Sequence, residues 1–166
     1  KYLQFIADIR SELAIAKEQQ IKSMYEMNPD PAECIQRICR IDNKLWERMP
    51  SHNDFLLIRI GIGSVSHCIK INYTKQAIIM ETDPLMMEPH RLALEFQNIN
   101  DVSVTLNLVQ SGICGIAGEK TRTDCLVRNI LIQCITHHGY DDIRIVILAS
   151  GEEIENWKWL GFIPNV

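Results

Sequence analysis

The sequence predicts an α/β protein: an N-terminal helical hairpin or stalk over residues 1–45, then a P-loop-NTPase-like α/β sheet domain over 46–166. Three observations predict it. Two amphipathic helical stretches meet at Asn28-Pro29-Asp30-Pro31. Short apolar segments then alternate with helical ones, the pattern of an α/β sheet. Residues 115–138, GIAGEKTRTDCLVRNILIQCITHH, run from an apolar strand through a Gly and a polar turn into an amphipathic helix, the order of a phosphate-binding loop.

The elements follow in order. Tyr2, Ile6, Ile9, Leu13 and Ala16 recur at three- and four-residue steps and predict a helix over 2–27, with Asp8, Arg10, Glu12, Lys17 and Lys22 on the other face. Asp30 is a fitting N-cap for a second helix, with Pro31 at its first position and Glu33 three residues after the cap. That helix is expected to reach Lys44, with Cys34, Ile38, Ile41 and Leu45 on one face, and to pack against the first. Residues 54–60, DFLLIRI, predict a strand, and Cys68–Tyr73 a second one across a loop containing Gly61 and Gly63. This Gly-x-Gly lies between strands and not before a helix, so it reads as turn chemistry and not as a nucleotide motif.

Pro84 opens a helical stretch to about Gln97, and Val102, Val104, Leu106 and Leu108 alternate as a strand. Ile113–Ala117 is the next strand and 122–138 the next helix, with Leu126, Val127, Ile130, Leu131, Cys134 and Ile135 apolar. Ile143–Leu148 is a continuous apolar run, the signature of a parallel strand buried on both faces. Strand, helix and strand here form one right-handed βαβ unit. Residues 152–160 predict a short helix anchored by Trp157 and Trp159.

The 166 residues are enough for one domain with a real core, and an apolar content of 46% is that of a globular chain. The net charge of −4 leaves no basic stripe for nucleic acid. No apolar run has the length to span a bilayer, and no signal peptide is visible. The chain opens inside a helix and stops soon after a strand–helix unit, which predicts a fragment of a longer protein. Of the six cysteines none forms a CxxC pair, and most sit among apolar neighbours, so buried reduced thiols are expected. A zinc site would need Cys and His to converge, and only His137-His138 lies near a Cys in sequence.

The loop has the shape of a phosphate cradle and the wrong residues. With Gly118 as the first Gly of GxxxxGK[ST], the second Gly falls on Thr123, the Lys on Asp124 and the hydroxyl on Cys125. The cradle needs the second Gly for backbone approach, the Lys for phosphate charge and the hydroxyl for Mg²⁺. Asp124 places a carboxylate where a cation belongs. In a second register Gly118-Glu119-Lys120-Thr121 reads as GK[ST] with a Glu inserted, and five residues instead of four separate it from Gly112. Thr121 and Asp124 resemble a capping box that would start the helix there. Both registers argue against ordinary ATP hydrolysis. Two readings stand: a plain βα turn that holds no ligand, and a residual anion site built on helix N–H groups with Lys120 or Arg122. The degenerate nucleotide site therefore comprises Gly118, Lys120, Thr121, Thr123, Asp124 and Cys125, with no catalytic residue and no metal ligand.

Elsewhere, His137-His138 end a helix, where a cationic His is favoured, and Gly139 is the expected residue just past the helix end. A His/Asp catalytic pair there lacks an adjacent nucleophile. Asp141 and Asp142 read as a solvated turn, with Mg²⁺ binding as the sharper alternative. Arg48 and Arg59 are expected to pair with Asp54 in a structural role.

Several segments together resemble one family. LWERMPSHNDFLLIRIGIG at 45–63 is similar to the LWER…DFL.RLG.G stretch of the EssC/EccC family, membrane-bound FtsK/SpoIIIE-type ATPases of type VII secretion systems. ETDPLMMEP at 81–89, residues 112–148, and WKWLGFIPNV at 157–166 fit it too. The resemblance covers most of the chain. It implies the part that follows the transmembrane helices: a helical stalk and the first, degenerate, FtsK-like ATPase module. A Walker B acid is expected after a later apolar strand. Ala149 and Ser150 follow Ile143–Leu148 instead, and Glu152 and Glu153 read as charges at a helix N-terminus. The resemblance implies no cofactor in this fragment and ATP with Mg²⁺ in modules further along the parent. It implies as partners other modules of the same chain, membrane components of the secretion complex, secreted substrate proteins and a homo-hexamer, at the cytoplasmic face of a bacterial membrane. A DNA translocase of the FtsK type is the alternative, and the acidic net charge opposes it. A working NTPase with Lys120 in place of the usual Lys is another.

Overall fold

A computed structural model describes residues 1–73 and 84–165. The start of the 81–89 stretch, at 81–83, and Val166 lie outside the described residues. The elements run α1 (Tyr2–Met27), α2 (Pro31–Arg40), β1 (Leu57–Ser66), a 3₁₀ turn (Pro84–Met87), α3 (Glu88–Glu95), β2 (Asn98–Asn107), α4 (Leu108–Ser111), α5 (Lys120–His137) and 3₁₀ turns over Ile154–Phe162. Helix and sheet are mixed, as an α/β reading requires. The chain forms two compact units, one of residues 1–28 with 61–104, the other of 29–60 with 105–166.

In the first unit α1 buries Ile6 and Leu13. Leu13 packs on Leu92 of α3 and on Phe96 just past its end, with Ile9 and Ile71 alongside. Burying a Leu or Phe in this way is worth roughly 1.5–3 kcal/mol. The polar face predicted for α1 is also used, since Arg10 Nε lies 3.1 Å from Glu95 Oε2. The helix ends at Asn28, whose N–H donates to the carbonyl of Met24 at 3.0 Å, and Ser103 Oγ donates to the same carbonyl at 3.1 Å.

In the second unit α2 begins as its sequence demands: Asp30 Oδ1 accepts from the N–H of Glu33 at 2.8 Å, and Pro31 occupies the first turn. It stops at Arg40 and does not reach Lys44. Ile41 takes the left-handed conformation, φ 50°, and is 84% exposed, so it is not on the buried face expected for it. Helix α2 packs against α5.

β1 and β2 form a two-stranded sheet. The pairing is antiparallel, with Leu108 N–H on Leu56 O (3.0 Å) near one end and His67 N–H on Gln97 O (3.0 Å) at the other. β1 starts three residues later than expected, after the Asp54–Leu57 turn, and continues through Gly61 and Gly63. These glycines therefore lie within a strand and not in a hairpin loop. A Cβ on Gly63 would stand 2.9 Å from Val104 Cγ2, so close packing requires this Gly. Cys68–Tyr73 is not a strand, because side chains take its first backbone donors: Cys68 N–H goes to Gln20 Oε1 (2.8 Å) and Ile69 N–H to His67 Nδ1 (3.0 Å).

The helix of the expected βαβ unit is present, but its flanking segments 113–117 and 143–148 join no ladder among the described residues. Residues 113–117 are exposed throughout. Residues 143–148 alternate half-buried and exposed, with Leu148 94% exposed, and are not buried on both faces. A strand exists only where a neighbour takes its N–H and C=O groups. Two backbone bonds tie the second segment down instead, Ile143 N–H to Gly139 O at 3.3 Å and Ile145 N–H to Asn165 O at 2.7 Å. The helix expected over 152–160 is 3₁₀ and runs over 154–162, with Leu160 buried and Trp157 and Trp159 half-buried. Among the described residues no helix is long and apolar enough to cross a membrane.

Candidate functional site

The candidate site is the loop into α5. The helix starts at Lys120 with Glu119 at the cap position, and the first intrahelical bond is Thr123 N–H to Glu119 O at 3.0 Å. Thr121 and Asp124 thus lie inside the first turn and do not form the expected capping box. The Glu119 side chain caps no N–H, so the first N–H groups of α5 carry the partial positive charge of a helix start. Thr123 Oγ1 turns back to Lys120 O at 2.8 Å. Gly118 has ordinary backbone angles, and a Cβ there would meet Thr123 Cγ2 at 3.5 Å, so neither strain nor crowding requires a Gly.

An open pocket of about 330 Å³ lies beside this turn, walled by Ile116, Ala117, Gly118, Glu119, Arg122, Thr123 and Leu126. That volume is at the small end of ligand sites, and the wall is mostly apolar. Its charged members neutralise each other: Arg122 Nε lies 3.3 Å from Glu119 Oε2. Lys120 turns to other carboxylates, with Nζ 2.7 Å from Glu153 Oε1 and 3.8 Å from Asp124 Oδ2. The hydrogen bond to Glu153 raises the Lys120 pKa and lowers that of Glu153. Of the six candidate residues, Gly118 and Thr123 reach the pocket wall, Lys120 and Asp124 join an ion-pair cluster, and Thr121 and Cys125 sit exposed on the helix. Glu153 completes that cluster from 33 residues away, a role its reading as a helix-start charge did not contain.

The other end of α5 is closed by the 45–63 segment. Trp46 N–H donates to Thr136 O (2.9 Å), Trp46 Nε1 to Ile135 O (3.1 Å) and Arg48 N–H to His137 O (3.0 Å). Three terminal carbonyls are thus satisfied by one short loop. Arg48 is 2% exposed, with Nε 3.3 Å from Asp54 Oδ2 and Nη1 donating to Leu57 O. The Arg48–Asp54 pair expected from sequence is therefore present. The backbone of Arg59 is held by Gln133: its N–H donates to Gln133 Oε1 and its carbonyl accepts from Gln133 Nε2, both at 2.8 Å.

His137 and His138 are fully buried. Burial, with Arg48 next in weight, lowers the His137 pKa to about 3. His138 is also lowered, first by burial. It accepts from Leu56 N–H at Nε2 (3.0 Å) and donates from Nδ1 to Cys134 O (3.0 Å), which fixes a neutral ring. Burial withholds the bulk water that a helix-end cation would need, so neither ring suits the cationic role expected of it. Gly139 follows the helix end, but not in the left-handed conformation.

Cys34 and Cys134 are buried, while Cys39, Cys68, Cys114 and Cys125 are exposed, against the expectation that most are buried. Among the described residues no group of three or more His, Cys, Asp or Glu side chains is placed to hold a metal.

No family model matches the chain. Curated relatives do. An ESX secretion system protein EccC of Geobacillus thermodenitrificans is 23% identical over 165 residues, covering 99% of this chain and 11% of the relative. EccC of Thermomonospora curvata is 25% identical over 165 residues, covering 99% and 12%. The type VII secretion system protein EssC of Staphylococcus aureus is 24% identical over 123 residues, covering 74% and 8%. The chain is a relative of the EccC and EssC secretion proteins. It spans about a tenth of the length of the curated relatives it matches.

Within 45–63 the structure gives Trp46 and Arg48 a task that spacing alone did not reveal, the closing of α5. Gln133 was also missed. Its signal was a lone amide among the apolar positions Ile130, Leu131 and Cys134, a placement that demands polar partners once buried.

Proposed function

We propose that the chain is a non-hydrolysing ATPase-like module of a membrane-bound type VII secretion motor, coupling a membrane stalk to ATPase modules further along the same polypeptide. In this reading residues 1–45 are the stalk end, 46–166 are an FtsK-like module with a degenerate P-loop, and ATP and Mg²⁺ serve the later modules only. Its partners are those modules, membrane components of the secretion complex, secreted proteins and further copies of the chain in a ring at the cytoplasmic face of the membrane.

One observation carries the non-hydrolysing part. Lys120, the cation nearest the helix start, is already bound by Glu153 and Asp124. Three carboxylates (Glu119, Asp124, Glu153) stand against two cations (Lys120, Arg122) around the turn. A triphosphate approaching it meets net repulsion and a cation that must first leave its partners. The names of the relatives support the secretion context. Titration calorimetry with Mg-ATP is the test. Only heat of dilution is expected, and Mg²⁺-dependent binding at micromolar Kd would overturn the reading.

A second reading has one observation in its favour: Lys120 is the first residue of α5, beside the 330 Å³ pocket, where the Lys of a GK[ST] loop would stand. As a working NTPase the protein would turn over ATP and lose that turnover in Lys120→Ala. Absence of turnover above buffer excludes it.

A further inference from the structure

The polar groups buried between α2 and α5 in the second unit are used by neither reading. Cys34 and Arg37 lie one turn apart on α2, which packs against α5, and Thr136 of α5 is fully buried with its hydroxyl donating to Ile132 O at 2.7 Å. Arg37 is 5% exposed. Its Nε reaches Glu33 Oε1 at 3.3 Å, but its buried Nη1 has no hydrogen-bond partner. Next to Thr136, His137 is fully buried, and neither Nδ1 nor Nε2 has a partner. Its neighbour His138 has protein partners on both nitrogens. The charged and titratable groups acting on His137 are Arg37 from α2, Arg48 from the 46–57 loop, and His138. The two arginines have counter-ions in Glu33 and Asp54.

Buried polar groups are paired in native proteins, and among the described residues these atoms have no partner. The chemistry of a partner is constrained. A neutral imidazole offers one N–H and one lone pair, while a guanidinium nitrogen offers only N–H donors. What meets Arg37 Nη1 must therefore accept, and what meets the neutral His137 ring must both accept and donate. A halide or phosphate accepts only, and would add charge where both arginines are already matched. Water does both, and internal water of this kind makes two to four bonds to such groups.

We propose that the second unit holds ordered internal water bonded to the His137 ring and to Arg37 Nη1, as a built part of the α2–α5 contact. The test uses the whole chain with ¹⁵N-labelled histidine at pH 7. Long-range ¹H–¹⁵N spectra report the state of each ring, and NOE and ROE cross-peaks between water and the ring protons report bound water. His137 is expected to be neutral, with water NOE and ROE peaks of opposite sign, the mark of a long-lived water. His138, held by protein atoms on both nitrogens, is the internal control and shows a neutral ring without them. Absence of water cross-peaks at His137 overturns the proposal. So does a cationic His137 whose signals move when bromide replaces chloride, which would make the guest an anion.

Discussion

Lys120 Nζ lies 2.7 Å from Glu153 Oε1, so the one lysine at the start of α5 is spoken for by a carboxylate 33 residues further along. Asp124, on the same helical face at 3.8 Å, holds it from the other side. If charge is what keeps an anion from this turn, removing it should admit one. The double variant Asp124→Asn, Glu153→Gln is expected to bind pyrophosphate about tenfold more tightly than the parent, read by calorimetry at low salt and weakening as salt is added. Equal affinities would show that shape, not charge, bars the site.

The cap on α5 makes a stability prediction. Trp46→Phe removes the indole donor to Ile135 O while keeping an aromatic ring near Tyr140, whose ring centroid is 5.9 Å away. A loss of about 1 kcal/mol is expected, the net worth of one hydrogen bond, seen as a lower urea midpoint with unchanged slope.

Arg48 should be far less tolerant. Arg48→Met leaves Leu57 O and the half-buried Asp54 without their donor, and is expected to cost about 3 kcal/mol. Arg48→Lys keeps the charge but not the fork that reaches both acceptors, and should recover less than half of that loss in thermal melts.

Acid should weaken the second unit by a defined route. His137 has its folded pKa lowered to about 3, so below the ordinary value of about 6.5 the unfolded chain takes up a proton that the folded chain refuses. Stability therefore rises with pH between those values, is complete above about 6.5, and is lost as pH falls through the window. From pH 7.5 to 5.5 the contribution of His137 alone is about 1.4 kcal/mol, and His138, shifted the same way, adds to it. Urea midpoints at the two pH values should converge in His137→Gln relative to the parent.

Two glycines of β1 should separate cleanly. Gly63→Ala drives a Cβ to 2.9 Å from Val104 Cγ2, a β-branched side chain with little room to turn, and should cost about 1–3 kcal/mol. Gly61 meets nothing within 4 Å, so Gly61→Ala should be neutral or slightly stabilising. The difference in Tm between the two variants is the measurement.

The helices were the readable part of the sequence. A cap such as Asp30 with Pro31, or the stripe of Ile6, Ile9 and Leu13, acts within a few residues and so is written locally. The strands were less so. The apolar segments at 113–117 and 143–148 state a preference, but a ladder needs a second segment, and the sequence does not say which one arrives. The loop into α5 was legible in its chemistry, since Asp124 and Cys125 stand where a Lys and a hydroxyl belong. Glu153 was not, because a surface ion pair 33 residues apart leaves no periodic trace. The histidines were misjudged for a related reason: their charge state depends on burial away from bulk solvent by segments distant in sequence, and a helix-end rule assumes that bulk solvent is present.

Gln133 holds both the N–H and the carbonyl of Arg59, doing with one amide what a third strand would do with its backbone. A helix side chain thereby seals the outer margin of β1 at that point. Any extension of this protein into a wider sheet has to be recruited elsewhere, and a foreign peptide seeking to stack on β1 at Arg59 finds its docking valences already occupied.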